Sequence, residues 1–69
     1  MNVLLDMVSD ATVSYNILDI NGKVWLSDES FYPEGNNALV VPVHSLTPGI
    51  YLLRIQSGDN LEIRRFCKS

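Results

Sequence analysis

His44 and Cys67 are the pair in this chain whose types could support covalent chemistry, the imidazole as base and the thiolate as nucleophile. Such a pair acts only when a third residue orients the base and N–H donors await an oxyanion. Neither accompanies them. His44 stands beside a Ser-Leu-Thr-Pro-Gly corner, a setting for a solvated or turn-bonded imidazole, and Cys67 follows Phe66 and is expected to act as a small buried hydrophobe. A lone cysteine excludes an internal disulfide and a cysteine-based zinc cluster. The acids are scattered over loops and hairpin ends, with no Asp-x-Asp-x-Asp-Gly run that would form a calcium loop. The expectation is a protein that is not an enzyme, with no catalytic residue, metal site or cofactor.

Charge is the other chemistry available. The formal net charge of -3 argues against nucleic acid, whose phosphates demand clustered Lys and Arg. Six of the eight acids (Asp6, Asp10, Asp19, Asp28, Glu29, Glu34) precede residue 54 and face only Lys23, whereas Arg54, Arg64, Arg65 and Lys68 crowd the end against Asp59 and Glu62. Solvated cations on edge strands discourage aggregation, which accounts for a basic tail without any ligand. The alternative is that the tail contacts a partner.

These residues need elements to hold them. The 69 residues, 46% hydrophobic and 19% charged, suffice for one folded domain and are too few for an enclosed catalytic cavity beside a core. No apolar run approaches the roughly 20 residues of a spanning helix, and Val3 to Leu5 followed by Asp6 is no signal-peptide core. Residues 2–8 alternate as a first strand. In TVSYNILDI, Val13, Tyr15 and Ile17 take one face, and the segment ends at Asn21-Gly22, which predicts a type I′ hairpin turn and an antiparallel return through KVWLS. Residues 28–37, with Pro33, Gly35 and two asparagines, read as the longest loop, Phe31 and Tyr32 tucking it onto the body. Residues 38–44 form a strand in which Pro42 must avoid a ladder position, so an edge strand or a bulge is expected. IYLLRIQS is apolar on both faces and reads as a central strand. Ser57 to Asn60 closes a hairpin onto LEIRRFCK, where the parity of Phe66 against Leu61 and Ile63 predicts a bulge near Arg64 and Arg65. The sum is all-β: an immunoglobulin-like antiparallel sandwich of about six to seven short strands, filling residues 1–69 as a single domain and the C-terminal module of a larger protein.

The corner Leu46-Thr47-Pro48-Gly49-Ile50-Tyr51 has a mechanical meaning of its own. Leu46 seats the chain in the core, Pro48 presets φ, and Gly49 supplies positive φ or close packing. Tyr51 opens the central strand, its hydroxyl able to reach back to backbone across the corner.

The order DINGKVW (Asp19 to Trp25), LTPGIYLLRI (Leu46 to Ile55) and RRFCK (Arg64 to Lys68) resembles the C-terminal sorting domain of proteins exported by the type IX secretion system of Bacteroidetes. Asp19, Gly22 and Lys23 match its Asp-x-x-Gly-Lys/Arg hairpin, and Leu46, Gly49 and Tyr51 its Leu-x-x-Gly-x-Tyr corner. Arg65-Phe66-Cys67-Lys68 matches its closing motif with Arg for the first Lys. The resemblance implies a non-catalytic signal that directs a parent cargo domain through the periplasm and outer membrane to the cell surface or medium. Its partners would be the outer-membrane secretion and sortase-like machinery. On it, Asp19, Gly22, Leu46, Gly49 and Tyr51 define the fold, and Arg64, Arg65 and Lys68 contact the partner. The Asn-Pro strand that opens the family's domain is missing, and the edge so exposed predicts a strand-paired or strand-swapped homodimer.

A plain spacer or adhesion module is the rival. The corner also resembles the Leu-x-Pro-Gly-x-x-Tyr corner of fibronectin type III modules, one residue short before Tyr51 and without their early Trp. Trp25, Phe31 and Tyr32 would then be its exposed contact aromatics.

Overall fold

A computed structural model describes all of residues 1–69. Six strands follow one another: β1 (Asn2–Met7), β2 (Ala11–Asp19), β3 (Val24–Tyr32), β4 (Gly35–Val40), β5 (Gly49–Ser57) and β6 (Asn60–Lys68), with one 3-10 turn at Val43–Ser45. They make two antiparallel sheets, a pair β1-β4 and a four-stranded sheet ordered β3-β2-β5-β6. This is the expected immunoglobulin-like sandwich. The core is the set of alternate residues facing inward: Val13, Tyr15 and Ile17 from β2 and Tyr51, Leu53 and Ile55 from β5, met by Val3, Leu39, Val41 and Leu46. Burying a side chain such as Ile17 or Leu53 contributes roughly 1.5–3 kcal/mol. Tyr15 lies inside this layer, and burial, with the carboxylate of Asp28 next in effect, raises its pKa.

Four local expectations give way. Residues 28–37 are strand rather than loop: β3 runs beside β2 until Tyr32 pairs with Ala11, and only Pro33 and Glu34 separate it from β4. β3 is an edge strand left wet on both sides along Ser27 to Ser30: all four are exposed, including Asp28 and Ser30, which the register puts on the core-facing side opposite Tyr15 and Val13. Tyr32 packs against the core as expected, whereas Phe31 points away and is exposed. Asp10 ties the β3–β4 corner down by accepting the N–H of Glu34 at 2.7 Å.

The strand at residues 38–44 lies earlier than expected. β4 ends at Val40, and Pro42 sits beyond the ladder in the connector, neither in an edge strand nor at a bulge. The Asn21-Gly22 turn is not type I′, since no residue other than glycine has positive φ. Gly22 N–H donates to Asp19 O at 3.0 Å around Ile20 and Asn21, and Gly22 itself takes φ 84. This is the type I turn followed by a left-handed glycine that closes three-residue hairpin loops. Finally, β6 carries no bulge: its register with β5 is unbroken from Gly49↔Lys68 to Ser57↔Asn60. Phe66 decides the parity by stacking on Tyr51, with centroids 5.7 Å apart, and turns Leu61 and Ile63 outward. The sheet's bulge lies instead at Trp25, the extra residue where Ile17 faces Leu26 and Leu18 faces Val24.

Met1 and Val41 exchange N–H to oxygen bonds in both directions, at 2.9 and 2.8 Å. Antiparallel alternation then turns the backbone of Val3, Leu5 and Met7 toward β4 and that of Asn2, Leu4 and Asp6 toward the open edge.

Candidate functional site at the motif end

Strand pairing brings the three sequence motifs to one end of the sandwich. Asp19, last in β2, lies opposite Tyr51, which lies opposite Phe66, and Gly49 lies opposite Lys68. The hairpin and the corner thus meet around a shallow hollow lined by Asp19, Ile20, Trp25, Pro48, Gly49 and Ile50, among others.

Each motif residue has a checkable task. Asp19 Oδ1 accepts the backbone N–H groups of Asn21 (2.9 Å) and Lys23 (3.0 Å), and Oδ2 accepts Trp25 Nε1–H (3.0 Å). The bond from Trp25 is the main cause, and that from the Lys23 backbone the next, that holds the Asp19 carboxyl below its ordinary value. The carboxylate therefore fixes the turn and pins the indole that the bulge turns toward it. Lys23 Nζ sits 4.3 Å from the centre of the same ring. The Tyr51 hydroxyl donates to Thr47 O at 2.6 Å across the corner, as expected of a tyrosine corner. Leu46 is buried beneath it.

Gly49 is the exception. Its φ is not positive, and an added Cβ would meet nothing closer than Tyr51 Cε2 at 3.8 Å, an ordinary contact. Neither reason expected for a glycine there is present.

The structure places Arg64, Arg65 and Lys68 on different surfaces. Arg64 shares the core-facing side of β6 with Phe66 and pairs with Glu62 at 3.0 Å, both side chains about half exposed, an ion pair worth about 0–1 kcal/mol. Arg65 projects from the outer side opposite Leu52, and Lys68 lies at the motif end beside Gly49. His44 is exposed in the 3-10 turn, and Cys67 is exposed on the outer side opposite Ile50 rather than buried. No hydrogen bond joins them, and no three His, Cys, Asp or Glu side chains gather as a metal site. Two features went unforeseen: the Asp19–Trp25 bond, whose trace is the six-residue spacing across a Gly turn, and Arg54 on the same side as Arg65. The second follows once Phe66 is paired with Tyr51.

The family model of the secretion system C-terminal sorting domain matches residues 1–69. The chain belongs to this family of type IX sorting domains. Neither the curated proteins nor the solved structures give a match. The family is one of sorting signals and not a known family of enzymes, and a sorting domain works with the secretion machinery as part of a larger cargo that is exported. No helix of the sorting domain is long and apolar enough to cross a membrane.

Proposed function

We propose that the sorting domain is the non-catalytic C-terminal module of a cargo protein and directs it across the outer membrane to the cell surface. The outer-membrane translocon reads it, and a sortase-like peptidase then removes it. The observation that carries this is the meeting of the Asp19 hairpin, the Tyr51 corner and the closing strand at one end, which gives a receptor a single rigid epitope. Arg65 and Lys68 reach solvent beside it, and Arg64 extends the contact along β6. A reporter fused to residues 1–69 in a type IX-competent host is expected at the cell surface. Retention in the periplasm, while a known sorting tail delivers in parallel, would overturn the proposal.

The same proposal includes self-association. The backbone of Asn2, Leu4 and Asp6 faces an open edge with neither Lys nor Pro to guard it, which favours β1 pairing with β1 of a second copy. A sedimentation series that stays monomeric into the millimolar range would remove that part alone.

A further inference from the structure

The four-stranded sheet has one side against the core and one side bare, and the bare side is unlike the rest of the molecule. Register puts Ile50, Leu52, Arg54 and Gln56 of β5 beside Leu61, Ile63, Arg65 and Cys67 of β6 on that side. Ile63 is 57% exposed, Leu61 52%, Ile50 40% and Leu52 37%, so a row of aliphatic side chains faces water. Arg54 lies opposite Ile63 and Arg65 opposite Leu52, which makes the two arginines diagonal neighbours within the aliphatic row. Both are exposed, and neither forms an ion pair, the single one in the molecule being Arg64–Glu62. In a chain of net charge -3 no acidic residue of β5 or β6 shares this side, Glu62 lying on the core-facing side opposite Ile55.

From this geometry we infer that the outer side of β5 and β6 is a docking surface for a partner protein that presents aliphatic side chains interleaved with carboxylates. The inference rests on the sorting proposal for its biological setting and names the chemistry of the partner. The charge pattern selects the occupant. A second copy bound through the same surface would set arginine against arginine, which is repulsive. An anionic membrane would attract the two arginines but repel a chain of net charge -3. A pleated apolar surface with two fixed cations fits another strand or sheet bearing matched acids, where the aliphatic contacts supply affinity and the ion pairs supply register. The surface joins the motif end through Ile50, which also lines the hollow beside Asp19 and Trp25.

The test is a titration of the isotope-labelled domain, followed by its backbone amide resonances. The probe is a soluble hairpin peptide with alternating leucine and glutamate on one face. Shifts are expected at residues 50–54 and 61–65, with the inner positions Val13, Tyr15 and Ile17 unmoved. R54E/R65E should weaken binding about tenfold or more, from two reversed pairs at about 1 kcal/mol each. If that variant loses its dispersed spectrum, R54Q/R65Q carries the comparison. The leucine-lysine version of the hairpin should not bind. No shift with the acidic hairpin, or equal binding by the lysine hairpin, overturns the inference. So does co-sedimentation with anionic phospholipid vesicles that R54E/R65E abolishes, which would make the surface lipid-binding. Export is not involved, so failure here leaves the sorting proposal standing.

Discussion

β5 presents two sides that differ in everything but backbone. Tyr51, Leu53 and Ile55 are buried within the core, and Ile50, Leu52 and Arg54, their immediate neighbours, are exposed. The inner side carries the fold, its three members belonging to the ten-residue core. The outer side of β5 meets only its neighbours in the same sheet. Two apolar sides on one strand are therefore no proof of two covered sides.

Mutations can break this contrast. The largest effect is expected from Leu53→Ala, which leaves a cavity at a 1% exposed site and costs about 2–5 kcal/mol. For a domain of this size that lowers the thermal midpoint by roughly 10 °C or more by calorimetry. Tyr51→Phe keeps the ring on Phe66 but removes the bond to Thr47 O, a loss of about 1 kcal/mol in denaturant titration. Next comes acid. Because the Asp19 carboxyl is held below its ordinary value near 3.8, its contribution is complete above that value and is lost as pH falls through the lower folded one. Midpoints measured from pH 6 to pH 2 should show that decline, and Asp19→Asn should flatten it. On the outer side Leu52→Ser should stay within about 0.5 kcal/mol of the parent. Gly49→Ala should be as mild, given its φ and the free space at its Cβ. A collapse in either would mean that the outer side or the corner glycine is structural after all.

Sequence patterns made most of the architecture legible. Period-two alternation in Val13-Tyr15-Ile17 and Tyr51-Leu53-Ile55 located the two central strands, and the Pro48-Gly49-Tyr51 corner located the start of the second. Where an edge strand is wet on both sides, alternation fades and turn-forming residues mislead, as in Ser27 to Ser30. Where one aromatic pair outweighs several aliphatics, as Phe66 on Tyr51 outweighs Leu61 and Ile63, counting hydrophobes gives the wrong parity. The candidate site was half legible for the same reason. Its motifs stand in the sequence, but their convergence needs the registers Asp19↔Tyr51 and Gly49↔Lys68. The cations of β6 could be sorted onto separate surfaces only after its parity was known.

The paired bonds between Met1 and Val41 set a clock on β1. Isotope exchange at the N–H groups of Val3, Leu5 and Met7 waits for β4 to detach, whereas those of Asn2, Leu4 and Asp6 are open to deuterium in the intact fold. Along this strand fast and slow amides should alternate residue by residue, and whatever occupies the edge would slow the fast set and leave the slow set unchanged.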